Sequence, residues 1–269
     1  KLDRFYVKIG YPDKWMDYSS LDIDESKTYY QNLEAAVRFM QADNLKDLGK
    51  PVDRTKWLMS PQEVNAYYMP TTNEICFPAG ILQPPFFNME ADDAVNYGAI
   101  GVVIGHEMTH GFDDEGSNFD KDGNMNNWWT AEDRQKFEAT TQRLAKQFSS
   151  VTVAPGLKAN GELTLGENIA DQGGLTIAYL ALQLAGEGQQ TMKIDGLTPA
   201  QRFYIAYARL WGQNITEAEI RRLTKLDPHS LGLLRVNQAL KNIDPFYKAF
   251  NIRPKDKMYI APKDRIVVW

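Results

Sequence analysis

His106-Glu107-Met108-Thr109-His110 decides the reading of this chain. An α-helix turns about 100° per residue, so positions i and i+4 lie one turn apart on one face and both imidazoles can reach a single ion. Glu107 then stands beside the ion without binding it. There it can take a proton from a metal-activated water, the arrangement that H-E-x-x-H zinc hydrolases use. Only three histidines occur in 269 residues, so composition alone seldom delivers this spacing. The preceding run, Asn96 to Gly105, is apolar and dotted with glycine. It predicts a buried helix whose glycines permit close packing or backbone approach. A buried histidine pair needs a partner, and one metal ion serves both rings.

A catalytic zinc ion usually has three protein ligands and one position open to water. Gly166-Glu167-Asn168-Ile169-Ala170-Asp171 offers the missing donor. It heads a segment, Asn168 to Ala185, that reads as a second helix with Ile169, Leu175, Ile177, Leu180 and Leu184 as its apolar positions. Glu167 can coordinate the ion while Asp171, one turn on, accepts a hydrogen bond from the free nitrogen of a bound histidine and fixes its tautomer. The residues alone leave a second reading open, in which both acids merely favour a helix N-terminus through its dipole.

Four further stretches accompany these: Gly111-Phe112-Asp113-Asp114, Asn65-Ala66-Tyr67-Tyr68, Phe77-Pro78-Ala79-Gly80-Ile81-Leu82-Gln83-Pro84-Pro85-Phe86, and Asp227-Pro228-His229-Ser230-Leu231-Gly232-Leu233-Leu234-Arg235. Together with His106 to His110 and Glu167 to Asp171, they resemble the neprilysin and endothelin-converting enzyme family of zinc metalloendopeptidases. The bacterial endopeptidase O branch matches best, and the resemblance runs from about Asn65 to Trp269. It implies an α+β, mostly helical fold: a thermolysin-like (gluzincin) zinc metallopeptidase catalytic domain, with two sub-lobes around a cleft and a small sheet at the cleft edge.

The same resemblance implies His106, His110 and Glu167 as ligands of one Zn2+ per chain, Glu107 as general base and Asp171 as the orienting acid. Asn65 and Ala66 would lie along an extended substrate and bond its backbone in the manner of strand addition. His229 matches the family's histidine for the tetrahedral oxyanion, and Arg235 its arginine for the substrate carbonyl. A lone histidine is more often structural, and the arginine at matching separation reverses that preference. Ile81, Phe86, Val102, Val103, Leu210 and Trp211 match positions lining the S1′ pocket, although hydropathy alone reads all six as core. The implied activity is cleavage of small peptides on the amino side of bulky hydrophobic residues. The alternative is a catalytically weak, zinc-bearing fragment that holds peptides in an open groove. Asp113 and Asp114, acids at an unfavourable helix C-terminus, are expected to support the zinc ligands through hydrogen bonds.

Composition bounds the remainder. With 43% hydrophobic and 24% charged residues, the chain reads as a soluble globular protein with a sizeable core, and a net charge of −5 without a basic arm argues against nucleic acid as a partner. No run approaches the roughly 20 apolar residues of a transmembrane helix. Cys76, the only cysteine, excludes an internal disulfide and reads as a small buried apolar residue. Ile266 in Ile266-Val267-Val268-Trp269 stands where animal members of the family carry a cysteine. The missing disulfides fit a bacterial protein, and an extracytoplasmic home (periplasm, cell surface or secreted) is expected. Beginning at Lys1 without a signal segment, the chain reads as part of a longer precursor. The N-terminal lobe that closes the cleft, and its carboxylate-gripping arginines, would lie outside it.

Two parts are expected: residues 1–60, an N-terminal helical segment facing the cleft, and residues 61–269, the catalytic domain. Tyr29, Leu33, Val37 and Met40 predict a helix from about Asp24 to Asp47, after an aromatic, irregular stretch from Tyr6 to Ile23. Val64 to Met69 and Ile75 to Phe77 alternate around Thr71-Thr72-Asn73, which predicts a hairpin. Thr130 with Asp133 opens a helix to about Phe148. Further helices are expected at about Pro199 to Gly212, Glu217 to Leu226 and Leu233 to Asn242, and Pro254 to Trp269 reads as loop plus a short strand. Asp120-Lys121-Asp122-Gly123-Asn124 has the start of a calcium loop, but its glycine comes two positions early and no glutamate closes it, so a polar turn is expected.

Overall fold

The computed structural model describes residues 1–186 and 192–269. A small mixed sheet has the order β1-β3-β2: β1 (Tyr6–Gly10) is parallel to β3 (Glu74–Pro78), and β2 (Tyr67–Met69) is antiparallel to it. β2 and β3 form the expected hairpin, with Asn73 at φ 48°, a left-handed conformation that asparagine tolerates better than most residues. β1 comes from the stretch that reads as irregular. Its polarity is inverted: Val7 and Ile9 are exposed, while Lys8 is 4% exposed and pairs with Glu74, Nζ to Oε1, at 2.7 Å. Alternation marks a strand only when its buried side is the apolar one. The sheet therefore draws on both sides of residue 60. β3 is buried throughout, Cys76 included, and β2 is left as an edge.

α1 (Tyr29–Leu45) starts later than periodicity suggests, because Thr28 and Gln31 form a reciprocal capping box. It buries none of its residues, and the face marked by Tyr29, Leu33, Val37 and Met40 is exposed. α2 (Asp93–Asn96), a π-helical turn (Tyr97–Gly101) and α3 (Val102–His110) follow one another without a break. α4 (Ala131–Ser149) is capped by the Thr130 hydroxyl, which accepts from Asp133 N. The Asp133 carboxylate returns to that hydroxyl at 2.7 Å, so only half of a capping box forms. β4 (Thr152–Ala154) and β5 (Leu157–Lys158) make a short second hairpin.

α5 (Leu165–Ala185) begins before Glu167 and packs along α3. Of its five apolar positions, Ile169 and Leu175 are buried, while Ile177, Leu180 and Leu184 are exposed. The crossing of α3 and α5 depends on glycine at both sides. A Cβ on Gly105 would lie 2.9 Å from Gly174 Cα, and one on Gly174 would lie 2.6 Å from the Val102 carbonyl oxygen. No side chain separates the two backbones there, so groups on α5 can reach the face of α3 that carries His106.

α6 (Pro199–Leu210), α7 (Glu217–Leu226), α8 (Gly232–Leu240) and α9 (Asp244–Phe250) complete the α-helices of the described residues. The main core joins Leu175, Phe203, Tyr204, Tyr207, Leu240 and Phe246, and a second cluster gathers Phe137, Phe148, Ile169, Leu234 and Ile266. α9 is absent from the sequence reading: seven residues are too few for periodicity, although Pro245 in its first turn is a start signal. The expected C-terminal strand does not form among the described residues. Ile266 is held by side-chain amides instead, donating to Asn242 Oδ1 at 3.0 Å and accepting from Gln172 Nε2 at 2.6 Å. No helix of the described residues is long and apolar enough to cross a membrane.

Candidate active site

A cleft of about 650 Å³ opens between β2, α3, α5 and the chain from α6 to α8. His106, Glu107, His110, Glu167, Asp171, His229 and Arg235 all line it, as do Asn65, Ala66, Ile81, Phe86, Val102, Val103, Leu210 and Trp211. Residues that lie 65 to 235 in the sequence thus share one wall-to-wall space.

At its floor, one ligand atom from each of His106, His110 and Glu167 lies within 4.8 Å of the others. The Nε2 atoms of the two imidazoles are 3.0 Å apart. His106 Nδ1 faces Asp171 Oδ1 at 2.9 Å, and His110 Nδ1 faces Asp113 Oδ2 at 2.7 Å. A carboxylate can only accept, so each Nδ1 carries the ring's proton and each Nε2 turns a lone pair toward the other. Two such lone pairs repel unless a cation lies between them. Glu167 adds a buried Oε2 that accepts no hydrogen bond, although His106 Nε2 is 3.2 Å away. Two neutral imidazoles and a carboxylate are a fitting donor set for Zn2+.

Without a metal, a proton fills the same role. Burial opposes charge on His106, but the Asp171 carboxylate bonded to it and the Glu167 carboxylate beside it prevail and raise its pKa to about 10. Glu167 is likewise opposed by burial, yet His106, His110 and His229 hold its carboxyl below the usual range. Glu107 goes the other way. It is 6% exposed, and burial raises its pKa against the partial opposition of His106 and His110.

Asp171 is fixed from its far side. Arg235 Nε donates to Oδ2 at 2.8 Å and Nη2 to Oδ1 at 2.7 Å, while the guanidinium stacks 3.7 Å over Trp211. Much of the Arg235 fork is thus engaged by Asp171, a partner the sequence reading does not assign to it. His229 is half exposed, with Nε2 3.4 Å from Glu167 Oε2 and Nδ1 2.8 Å from Asp227 Oδ1. Asp227 reads in the sequence only as a helix stop. Its place two residues before His229 is the signal that could have identified it.

Asp113 and Asp114 part company. Asp113 holds His110, and its other oxygen accepts from Glu115 N and Gly116 N at 3.0 and 2.7 Å. Asp114 bonds neither histidine, and its buried Oδ1 has no hydrogen-bond partner among the described residues, which corrects the expectation that both acids serve the ligands. Burial, with Asp113 adding, pushes its pKa up to about 6. Gln213 and Leu223 also line the cleft and carry no signal in the sequence; Tyr68 lines it too, within the Asn65 to Tyr68 stretch, where the sequence reading assigns it no role.

Comparison with known proteins agrees with this geometry. The model of peptidase family M13 matches residues 65–266. Neprilysin-3 of Drosophila melanogaster is 40% identical over 280 residues, covering 100% of this chain and 35% of its own length. Among solved structures, the Mycobacterium tuberculosis zinc metalloprotease ZMP1 in complex with an inhibitor superposes with a TM-score of 0.95 at 46% identity, over 98% of this chain and 41% of that one. PEPO from Lactobacillus rhamnosis HN001 gives 0.89 at 36% identity, over 98% and 40%. The chain thus spans well under half the length of the relatives it matches. On the strength of that match across three quarters of its residues, the chain belongs to peptidase family M13.

Proposed function

We propose that this chain carries the catalytic centre of a zinc endopeptidase that hydrolyses small peptides on the amino side of bulky hydrophobic residues, with one ion per chain. One observation carries the reading: two Nε2 atoms 3.0 Å apart, each ring held from behind by a carboxylate, with Glu167 across from them. A structural zinc site is usually closed by four protein ligands. Here three donors converge beside an open cleft, and Cys76 is buried in β3.

When bound, zinc supplies Lewis acidity, polarising the scissile carbonyl and acidifying water. Glu107 takes the proton of the attacking water and returns it to the leaving amine; its raised pKa makes it a firmer proton acceptor than an exposed glutamate. His229 donates to the oxyanion that develops on the carbonyl. Asp227 holds its Nδ1 at 2.8 Å, so Nε2 is the nitrogen turned toward Glu167 and the open site. Arg235, beside His229 in the cleft, orients the substrate carbonyl and steadies Asp171, which in turn keeps His106 in its binding tautomer. Asn65 and Ala66, leading into the edge strand β2, bond an extended peptide backbone. Ile81, Phe86, Val102, Val103, Leu210 and Trp211 receive the bulky side chain that follows the scissile bond.

A second reading, a zinc-bearing fragment that binds peptides but turns them over poorly, draws support from the chain's spanning only 35% of a matched relative. Orientation and water exclusion contribute to rate, and both suffer in an open cleft. One experiment tests both: cleavage of a fluorogenic peptide with Phe or Leu after the scissile bond by wild type, Glu107→Gln, and a chelated sample given back zinc. The peptidase reading expects zinc-restored cleavage that Glu107→Gln lacks while still binding zinc. Wild-type turnover by Glu107→Gln would overturn the role of Glu107, and bound zinc without cleavage would select the second reading.

A further inference from the structure

His110 is the last residue of α3, and the loop behind it, residues 111–119, carries Asp113. Three carbonyls from the start, middle and end of this loop point to one spot. Lys1 Nζ sits there, donating to Gly111 O at 2.7 Å, Gly116 O at 2.6 Å and Phe119 O at 2.8 Å. An ammonium has three protons, and all three are used. The same nitrogen lies 5.6, 5.8 and 6.0 Å from the ring centroids of Tyr68, Phe112 and Trp128, within reach of cation–π attraction. Lysine ordinarily keeps its head in water. Here burial lowers its pKa to about 8, against the opposing charges of Asp113 and Asp120, so the ammonium still predominates at neutral pH.

Gly116 links this cation to the metal centre. Its carbonyl accepts from Lys1, while its N–H donates to Asp113 Oδ1 at 2.7 Å. Asp113 Oδ2 then holds His110 Nδ1 at 2.7 Å. The loop has little slack at this point, because a Cβ on Gly116 would lie 1.8 Å from the His110 carbonyl oxygen. We infer that Lys1 is a positioning residue for the metal centre: its ammonium gathers the loop after α3 and thereby fixes Asp113 against His110. This role rests on His106, His110 and Glu167 binding a metal.

The test compares this 269-residue chain with its Lys1→Met, Asp113→Asn and double variants. Co2+ affinity by competition and the visible spectrum of the Co2+-loaded protein are read alongside melting of the metal-free protein. Lys1→Met is expected to weaken Co2+ binding by about tenfold, as loss of outer support for a metal ligand does, and to alter the cobalt spectrum. In the Asp113→Asn background the same substitution should have little further effect, because the two act in series. Unchanged affinity and spectrum in Lys1→Met, or losses that simply add in the double variant, would overturn the inference. Wild type that fails to bind Co2+ would overturn the metal reading itself. Should Lys1→Met not fold, Lys1→Gln, which removes the charge but keeps an N–H donor, carries the same comparison.

Discussion

Gly174→Ala tests how the site is held together without replacing any residue assigned a chemical role. The new Cβ would lie 2.6 Å from Val102 O and 2.8 Å from His106 N, whereas ordinary contact begins at 3.4 Å. Both neighbours are backbone atoms and cannot swing aside, so α3 and α5 must part by about 0.8 Å, the gap between 2.6 and 3.4 Å. The His106–Asp171 bond, now 2.9 Å, would be stretched beyond hydrogen-bonding distance by the same movement. Overpacking of this kind costs about 2 kcal/mol, which lowers Tm by roughly 4 to 8 °C in a domain of this size. Loss of the carboxylate behind a metal-binding histidine weakens metal binding by about 10- to 100-fold. Calorimetric melting with zinc and with chelator, together with a zinc competition assay, measures both effects. Gly101→Ala is the control: its nearest neighbours would be 3.5 Å away, so it should be neutral or slightly stabilising. Gly174→Ala with wild-type melting and zinc affinity would refute the idea that the glycine crossing places Asp171 and Glu167.

Asp171→Ala should be more severe, because it strands the buried Arg235 guanidinium; removing one partner of a buried pair costs about 3 to 5 kcal/mol. Wild-type melting of that variant would show the pair to be dispensable. Zinc binding should release a proton, since the His106 pKa of about 10 without metal means that zinc displaces it at neutral pH. Affinity then climbs with pH below that value, by about tenfold per unit for each proton released, and titration calorimetry in buffers of different ionisation heat counts the protons. An affinity flat across roughly pH 6 to 8 would contradict this. Asp114→Asn should raise stability at neutral pH. The folded pKa of Asp114 is raised to about 6 from 3.8, so the protonated form is the one the fold favours. Its stability contribution is greatest below about 3.8 and is lost as pH rises through about 6. The melting difference between wild type and Asp114→Asn should therefore shrink on acidification, and a difference that does not change with pH would count against it.

The His106, His110 and Glu167 cluster was legible in part from local spacings, with the family resemblance needed to choose Glu167 and Asp171 over plain helix-end acids. His106 and His110, and Glu167 and Asp171, are each one helical turn apart, and a turn is short enough to be read without knowing the fold. What brings the two pairs together is the crossing of α3 and α5, which depends on Gly105 and Gly174. A glycine in an apolar run announces close approach but does not name what approaches. β1 was illegible for a different reason: Lys8 is buried on Glu74, so the polarity that normally marks the outer face marks the inner one. The end of the chain misled in the opposite sense. Val267 and Val268 favour a strand, but the amides of Gln172 and Asn242 meet the backbone of Ile266 before any strand can.

Both histidines are steadied by the same device, drawn from different parts of the chain. His106 leans on Asp171 of α5, which leans on Arg235 of α8, which lies over Trp211 at the end of α6. His110 leans on Asp113 of the following loop, and that loop closes around Lys1 against Tyr68, Phe112 and Trp128. In each arm an acceptor fixes the imidazole tautomer, a cation balances the acceptor, and aromatic faces cover the cation. The carboxylate is needed to aim Nε2, yet an uncompensated carboxylate at this depth would be costly, and the cation behind it relieves that cost. Tyr68 belongs to β2, the strand that borders the cleft, so the arm behind His110 also ties the metal centre to the edge along which a peptide would lie. Slackening that arm should therefore disturb the ion and the substrate edge together, whereas slackening the arm behind His106 should disturb the ion and the wall formed by Trp211.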